Sequence, residues 1–193
     1  MSVITIPSVF YPMRPMNGGR LDLCSDKGDK WVYDIKVNGF RALVDRRKKV
    51  YNRTMGILSI HKLVEPLLED LPELDWLDCE VLERRGTGKG ILIVLDAPTV
   101  DGDLLERREA FKHLPVLPLT GYTPPGVYCL PEPMSEHRAR HFWSEWDTPD
   151  SDTESRLIEG LVAKKVDSKY ICQRVSASKE STKWIKHRFS NNP

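Results

Sequence analysis

From Trp31 onward, β-branched and aromatic residues come in short runs: Trp31-Val32-Tyr33-Asp34-Ile35, Arg41-Ala42-Leu43-Val44-Asp45 and Lys49-Val50-Tyr51-Asn52-Arg53. Asn38-Gly39 and the basic corner Arg46-Arg47-Lys48 separate them, which predicts an antiparallel meander of three strands. Between Ile60 and Leu71 the spacing changes to that of a helix, with Leu63, Val64, Leu67, Leu68 and Leu71 on one face despite Pro66. Trp76 to Glu83 and Gly90 to Asp96 read as two strands, and the glycine-rich Arg85-Gly86-Thr87-Gly88 between them as their hairpin turn. Asp103 to Leu114 and Ser135 to Trp146 are helix candidates, and Gly126 to Leu130 has strand potential within the proline-rich stretch Pro115 to Pro133. Prolines and glycines crowd the start of the chain, so residues 1–28 are expected as an irregular arm and 29–193 as the folded domain. The pattern is that of an α+β chain built on antiparallel strands.

The chain has 193 residues, enough to bury a core without disulfide or metal staples. A formal net charge of +1 gives no global pull toward nucleic acid, but it averages over unlike segments. Residues 132–159 hold eight Asp or Glu against three Arg, whereas 159–193 hold eight Lys or Arg against three Asp or Glu. Cys24, Cys79, Cys129 and Cys172 are scattered, with no Cys-x-x-Cys and no clustering with His, as expected of reduced thiols in a cytoplasmic protein. No apolar run approaches the ~20 residues needed to span a bilayer, and no signal-peptide pattern opens the chain, so no membrane partner is expected.

Chemistry enters at Asp34-Ile35-Lys36-Val37-Asn38-Gly39-Phe40-Arg41. A nucleophilic lysine must lose its proton, and a free one titrates near ~10.4. A hydrophobic strand before Lys36 and Arg41, Arg46, Arg47 and Lys48 after it suit a lowered value, since burial and nearby cations both disfavour the ammonium. Taken alone, Lys36 is an ordinary surface lysine beside a turn. Three further motifs downstream change that: Leu77-Asp78-Cys79-Glu80, Glu159-Gly160-Leu161-Val162-Ala163-Lys164 and Lys183-Trp184-Ile185-Lys186-His187-Arg188.

In order and spacing these four motifs resemble those of the covalent nucleotidyltransferases, and among them most closely the ATP-dependent DNA ligases. The resemblance implies an antiparallel-sheet nucleotidyltransferase domain, the ATP-grasp-like adenylation domain of DNA ligases, with no OB-fold domain after Arg188. It implies that Lys36 takes AMP from ATP, that Asp34 reads the base, and that Arg41, Lys164, Lys186 and Arg188 serve the nucleotide and its phosphates. Asn52-Arg53-Thr54 is similar to the element whose arginine contacts the nucleotide or the nick phosphate. Glu80 would serve the ribose and metal region, and Glu159 would hold Mg²⁺ or Mn²⁺ as a hard oxygen ligand. Asn38 stands where the family usually has aspartate, Cys79 where it has glycine, and Leu95 where it has a stacking aromatic ring. Leu104-Leu105-Glu106-Arg107-Arg108 is similar to a Leu-x-x-Arg-Arg element of the family, with arginines in a structural role.

The resemblance implies a monomeric, cytoplasmic, ATP-dependent ligase that seals 5′-phosphate nicks in double-stranded DNA, with RNA-containing strands as a possible substrate. Arg46, Arg47, Lys48, Lys165 and Lys169 are the expected nucleic-acid contacts, by charge. An RNA ligase is the nearest rival. From another class, a non-catalytic nucleic-acid-binding module could keep the same fold and basic surface.

Overall fold

The computed structural model describes residues 11–82, 90–120, 122–148, 157–172 and 180–190. Two sheets form the frame. The first has the order β1-β9-β8-β2, with β1 at Arg14–Asn17, β2 at Trp31–Val37, β8 at Ile158–Lys165 and β9 at Glu180–Arg188. The second has the order β4-β3-β5-β6-β7, with β3 at Phe40–Asp45, β4 at Val50–Tyr51, β5 at Trp76–Leu82, β6 at Ile91–Asp96 and β7 at Gly126–Cys129. Most pairings are antiparallel; β1 with β9 and β6 with β7 are parallel.

This partition corrects the expected meander. β3 and β4 do pair, but β2 pairs with β8, more than a hundred residues away in sequence. Asn38-Gly39 is therefore a crossover between sheets and not a hairpin turn. Glycine is required there: a Cβ on Gly39 would stand inside 3.0 Å of the Val81 carbonyl oxygen, a backbone atom that cannot swing aside.

Alternation along β2 sorts its side chains. Tyr33, Ile35 and Val37 join an apolar cluster with Ala139 and Trp143 of helix α3 (Glu136–Trp146), while Asp34 and Lys36 line the space between the sheets. A second cluster, with Ala42, Val44, Cys79, Val81 and Val94, packs under Val64, Leu68 and Leu71. The segment expected as one helix over 60–71 is instead a single α-turn, α1 (His61–Val64), continued as a 3₁₀ helix over Glu65–Asp70. Pro66 lacks the N–H that an uninterrupted α-helix would use, and this is where the geometry changes.

Helix α2 (Leu104–Glu109) is shorter than expected, but its start is well specified. The Asp103 carboxylate accepts from the backbone N–H of Leu105 and Glu106, and Glu106 reaches back to the Asp103 N–H at 2.7 Å. The expected irregular arm is also corrected in part. Arg14–Asn17 is an edge strand, and Met13 and Leu21 are fully buried. The Arg85 to Gly88 turn and most of the Asp147 to Ser155 loop lie outside the described residues.

Candidate active site

Two irregular strands build the site. Opposite Lys36 and Val37 the register of β8 jumps from Gly160 to Ile158, leaving Glu159 as the extra residue of a β-bulge. The bulge needs Gly160: its φ is +146°, and a Cβ there would run into the His187 backbone. The Glu159 side chain contacts the Lys36 ammonium and lies 3.6 Å from Nε of Arg188. On the second sheet the register of β6 jumps between Asp96 and Val94, so Leu95 is bulged opposite Asp78 and Cys79.

Lys36 stands where two spaces meet. Behind it lies a pocket between the sheets, walled by Ile35, Leu95, Leu130, Val162 and Trp184 and closed by Asp34 and Lys164. Apolar walls with a few convergent polar groups are the character of a small-ligand site. In front lies a wider, open cleft bordered by Arg14, Arg53, Lys186 and Arg188. Lys36, Arg41, Glu80 and Pro15 border both.

Charge at the junction is finely set. Burial pushes the Lys36 amine down, Glu80 pulls it back up, and Arg188, Lys186 and Arg41 push it down again, leaving it at about 8. Burial raises the Glu80 carboxyl to about 7 against the opposing pull of Arg41 and Lys36. At the closed end of the pocket, Asp34 is 2 % exposed and ion-paired at 2.7 Å to both Arg108 and Lys164. Burial works against its charge, but those two cations outweigh it and hold the carboxyl below its ordinary range.

Other sequence-selected residues are structural in their contacts. The Arg41 guanidinium grips Asp78 and donates to the Met13 carbonyl at 3.1 Å, while the Tyr170 hydroxyl donates to Asp78 at 2.5 Å. Arg107 is fully buried, forked onto Asp96 at 2.7 and 3.1 Å and bonded to the Ser168 carbonyl at 2.8 Å. Arg108, beyond its pair with Asp34, donates to the carbonyls of Leu130 and Pro131 at 3.1 and 2.7 Å.

The five expected nucleic-acid contacts do not gather at the cleft. Arg46, Arg47 and Lys48 follow the last residue of β3, whereas the cleft is at its first, about 20 Å away along a strand of that length. Lys165 likewise ends β8, opposite Trp31 at the start of β2, and it pairs with Asp167 at 3.3 Å. Lys169 pairs with Asp101 at 3.4 Å. The cations at the cleft are instead Arg14, Arg53, Lys186 and Arg188 beside Lys36 and Arg41. Arg14 lay inside the supposed arm, and no pattern in sequence marks it. Trp184 and Val162 could have been found from alternation, since they share strand faces with Lys186 and Lys164.

Two apposed sheets with a lysine beside their crossover make up a fold that this chain shares with solved DNA ligase structures. Solved structures with that fold include the ligase domain of M. tuberculosis LigD, at TM-score 0.58 and 21% identity over 93% of this chain and 59% of that one. A mycobacterial DNA ligase D complexed with ATP and MES gives TM-score 0.61 and 20% identity over 93% and 60%. The Chlorella virus DNA ligase–adenylate gives 0.57 and 16% over 94% and 68%. The chain thus spans about three fifths of the length of the ligase D structures it matches. No protein-family model and no curated protein sequence matches it. Among the described residues no helix is long and apolar enough to cross a membrane.

Proposed function

We propose that the protein is an ATP-dependent polynucleotide ligase that works through a lysyl-AMP intermediate on Lys36 and seals 5′-phosphate nicks in DNA. One observation carries the reading: a lysine with a depressed pKa sits between an apolar-walled pocket and a cation-lined cleft. The adenine enters the pocket between Val162 and Leu95, with Trp184 on the same wall and the Asp34–Lys164–Arg108 cluster at its polar end. The bulge that re-aims Leu95 offers apolar contact in place of an aromatic stack.

In the first step the neutral Lys36 amine attacks the α-phosphorus of ATP. A P–N bond forms, the bond to the bridging oxygen breaks, pyrophosphate leaves and the amine loses a proton. Lys186 and Arg188, two apart on β9, face the transferring phosphate and neutralise its charge. In the second step an oxygen of a 5′-phosphate displaces Lys36 from the AMP phosphorus. In the third a 3′-hydroxyl attacks that 5′-phosphate and AMP leaves.

Glu80 and Glu159 flank Lys36 with hard oxygen ligands, although among the described residues no third His, Cys, Asp or Glu joins them. Two carboxylates suit a divalent cation such as Mg²⁺ whose remaining ligands are phosphate oxygens and water, and when bound it would neutralise phosphate charge.

The test is intact mass after incubation with ATP and Mg²⁺. Wild type gains one AMP, and Lys36→Ala gains none while unfolding like wild type. An adduct on Lys36→Ala, or none on wild type, removes this reading.

A further inference from the structure

One buried residue touches both walls of the site yet borders neither of its spaces. Tyr170 follows β8 in the chain, lies in no strand and is 9% exposed. It lines neither the pocket nor the open cleft. Its hydroxyl donates to Asp78 at 2.5 Å and accepts from the Met13 N–H at 3.3 Å. The Arg41 guanidinium donates to the same Asp78, to the Met13 carbonyl at 3.1 Å and, more distantly, to the Tyr170 hydroxyl at 3.5 Å. A closed ring of hydrogen bonds results, in which one hydroxyl anchors every group that Arg41 holds. Bonds in such a network strengthen one another beyond what the separate pairs would give.

The ring of Tyr170 has a second partner. It stands edge-on to Trp184, with centroids 5.7 Å apart and planes at 87°. Trp184 walls the pocket, and the Lys164 ammonium lies 4.4 Å from its ring centroid. Trp184 belongs to β9 of the first sheet, whereas Arg41 belongs to β3 and Asp78 to β5 of the second. Tyr170 therefore ties the two sheets together beside the pocket that they enclose, and both Trp184 and Arg41 border that pocket with Lys36.

We propose that Tyr170 is a positioning residue for nucleotide transfer to Lys36: its hydroxyl fixes the Arg41 charge at the junction, and its ring fixes the Trp184 wall of the pocket. The idea rests on the ligase reading and adds to it a residue that touches no substrate. The two contacts act on different quantities. A wall that meets the base alike before and during the reaction governs affinity. A charge beside the transferring phosphate governs rate, and a misplacement of about 1 Å there costs on the order of 100-fold.

The test separates binding from chemistry. Affinity is measured with α,β-methylene ATP, whose carbon bridge resists cleavage. Rate is measured by intact mass in single turnover with saturating ATP and Mg²⁺, and both are scaled to the fraction folded by tryptophan fluorescence. Tyr170→Phe keeps the ring and loses the hydroxyl. It should bind the analogue like wild type and transfer AMP about 10- to 100-fold more slowly. Tyr170→Leu loses both contacts and should in addition bind the analogue about 2- to 12-fold more weakly, the worth of one edge-to-face pair. Should the Leu variant not fold, the Phe variant decides alone. A residue that only stabilised the fold would leave both quantities unchanged per folded molecule. That result in Tyr170→Phe, or a loss of affinity there, would overturn the proposal, as would an unchanged affinity in folded Tyr170→Leu. Wild type that takes up no AMP would instead bring down the ligase reading itself.

Discussion

Gly160→Ala is the sharpest test of how the site is built. Two costs arise at that position and can be separated. At φ +146° the backbone occupies a region that is essentially reserved for glycine, worth about 1–3 kcal/mol for any other residue. The new methyl would also stand inside 3.0 Å of the His187 carbonyl oxygen and of the Arg188 Cα, which belong to the paired strand β9 and cannot rotate away. Relief requires β8 and β9 to part where they are hydrogen-bonded, adding a penalty of the size of core overpacking, about 1–3 kcal/mol. The sum is about 2–6 kcal/mol, or roughly 4–24 °C in Tm for a domain of this size. Gly28→Ala is the control: its φ of +73° is also positive, but nothing lies within 4 Å of the added methyl. It should cost only about 1 kcal/mol. Thermal unfolding followed by tryptophan fluorescence gives both numbers, and adenylylation of the folded fraction reports on Glu159. If Gly160→Ala unfolds within about 2 °C of Gly28→Ala, the bulge is not the rigid element argued here.

Adenylylation in single turnover should rise about tenfold per pH unit below the Lys36 value of about 8 and level off above it, since only the neutral amine attacks; a flat profile from pH 6 to 9 would refute this. Arg108→Gln leaves the buried Asp34 with Lys164 alone and should cost about 2–4 kcal/mol at pH 7 in urea unfolding. Because the folded Asp34 value is depressed, its contribution is present above the unfolded value near ~3.9 and is lost as pH falls through the folded one. The mutant should therefore show a shallower loss of stability below pH 4 than wild type. Nick affinity should fall steeply with salt, and Arg53→Gln or Arg188→Gln should each reduce the log–log slope by about 1, whereas Lys165→Gln and Lys169→Gln should leave it unchanged.

Much of the fold was legible because strand and helix periods are local properties. Every described strand from Trp31 onward overlaps a run of β-branched or aromatic residues or a motif. What was not legible is which strand lies beside which. Alternation in Trp31 to Val37 says that Asp34 and Lys36 share a face, but not that the neighbour is Ile158 to Lys165. Asn38-Gly39 looks like a hairpin turn because the same glycine that permits a tight turn also permits the close approach to Val81 that a sheet crossover needs. That the five expected nucleic-acid contacts do not line the cleft has a related reason. Basic density along the chain picked Arg46 to Lys48, yet proximity to Lys36 depends on which end of a strand a residue occupies. Arg14 reaches the cleft only because β1 runs parallel to β9 at the sheet edge, and nothing local to Arg14 announces that pairing.

The irregularities at Glu159 and Leu95 lie at the site, and chemistry explains why regular sheet would not do. In an unbroken pairing of β2 with β8, residues opposite Lys36 would alternate between the two faces, and Glu159 and Val162 could not both serve the space between the sheets. One extra residue at Glu159 changes the phase, so that the acidic group joins Lys36 while Val162 and Lys164 still wall the pocket. Glu159 then faces a conflict that the surrounding charges resolve. Burial disfavours the Lys36 ammonium most, Glu80 favours it, and Arg188, Lys186 and Arg41 work with burial, so that contact with Glu159 does not keep the amine at its ordinary value. Two of those cations, Lys186 and Arg188, border the open cleft and are the ones that the proposed function gives to the phosphate, whereas Arg41 is committed to Asp78. Under the proposed function, nucleophile activation and phosphate binding rest on one set of side chains, and a neutral substitution at Arg188 should damage both at once.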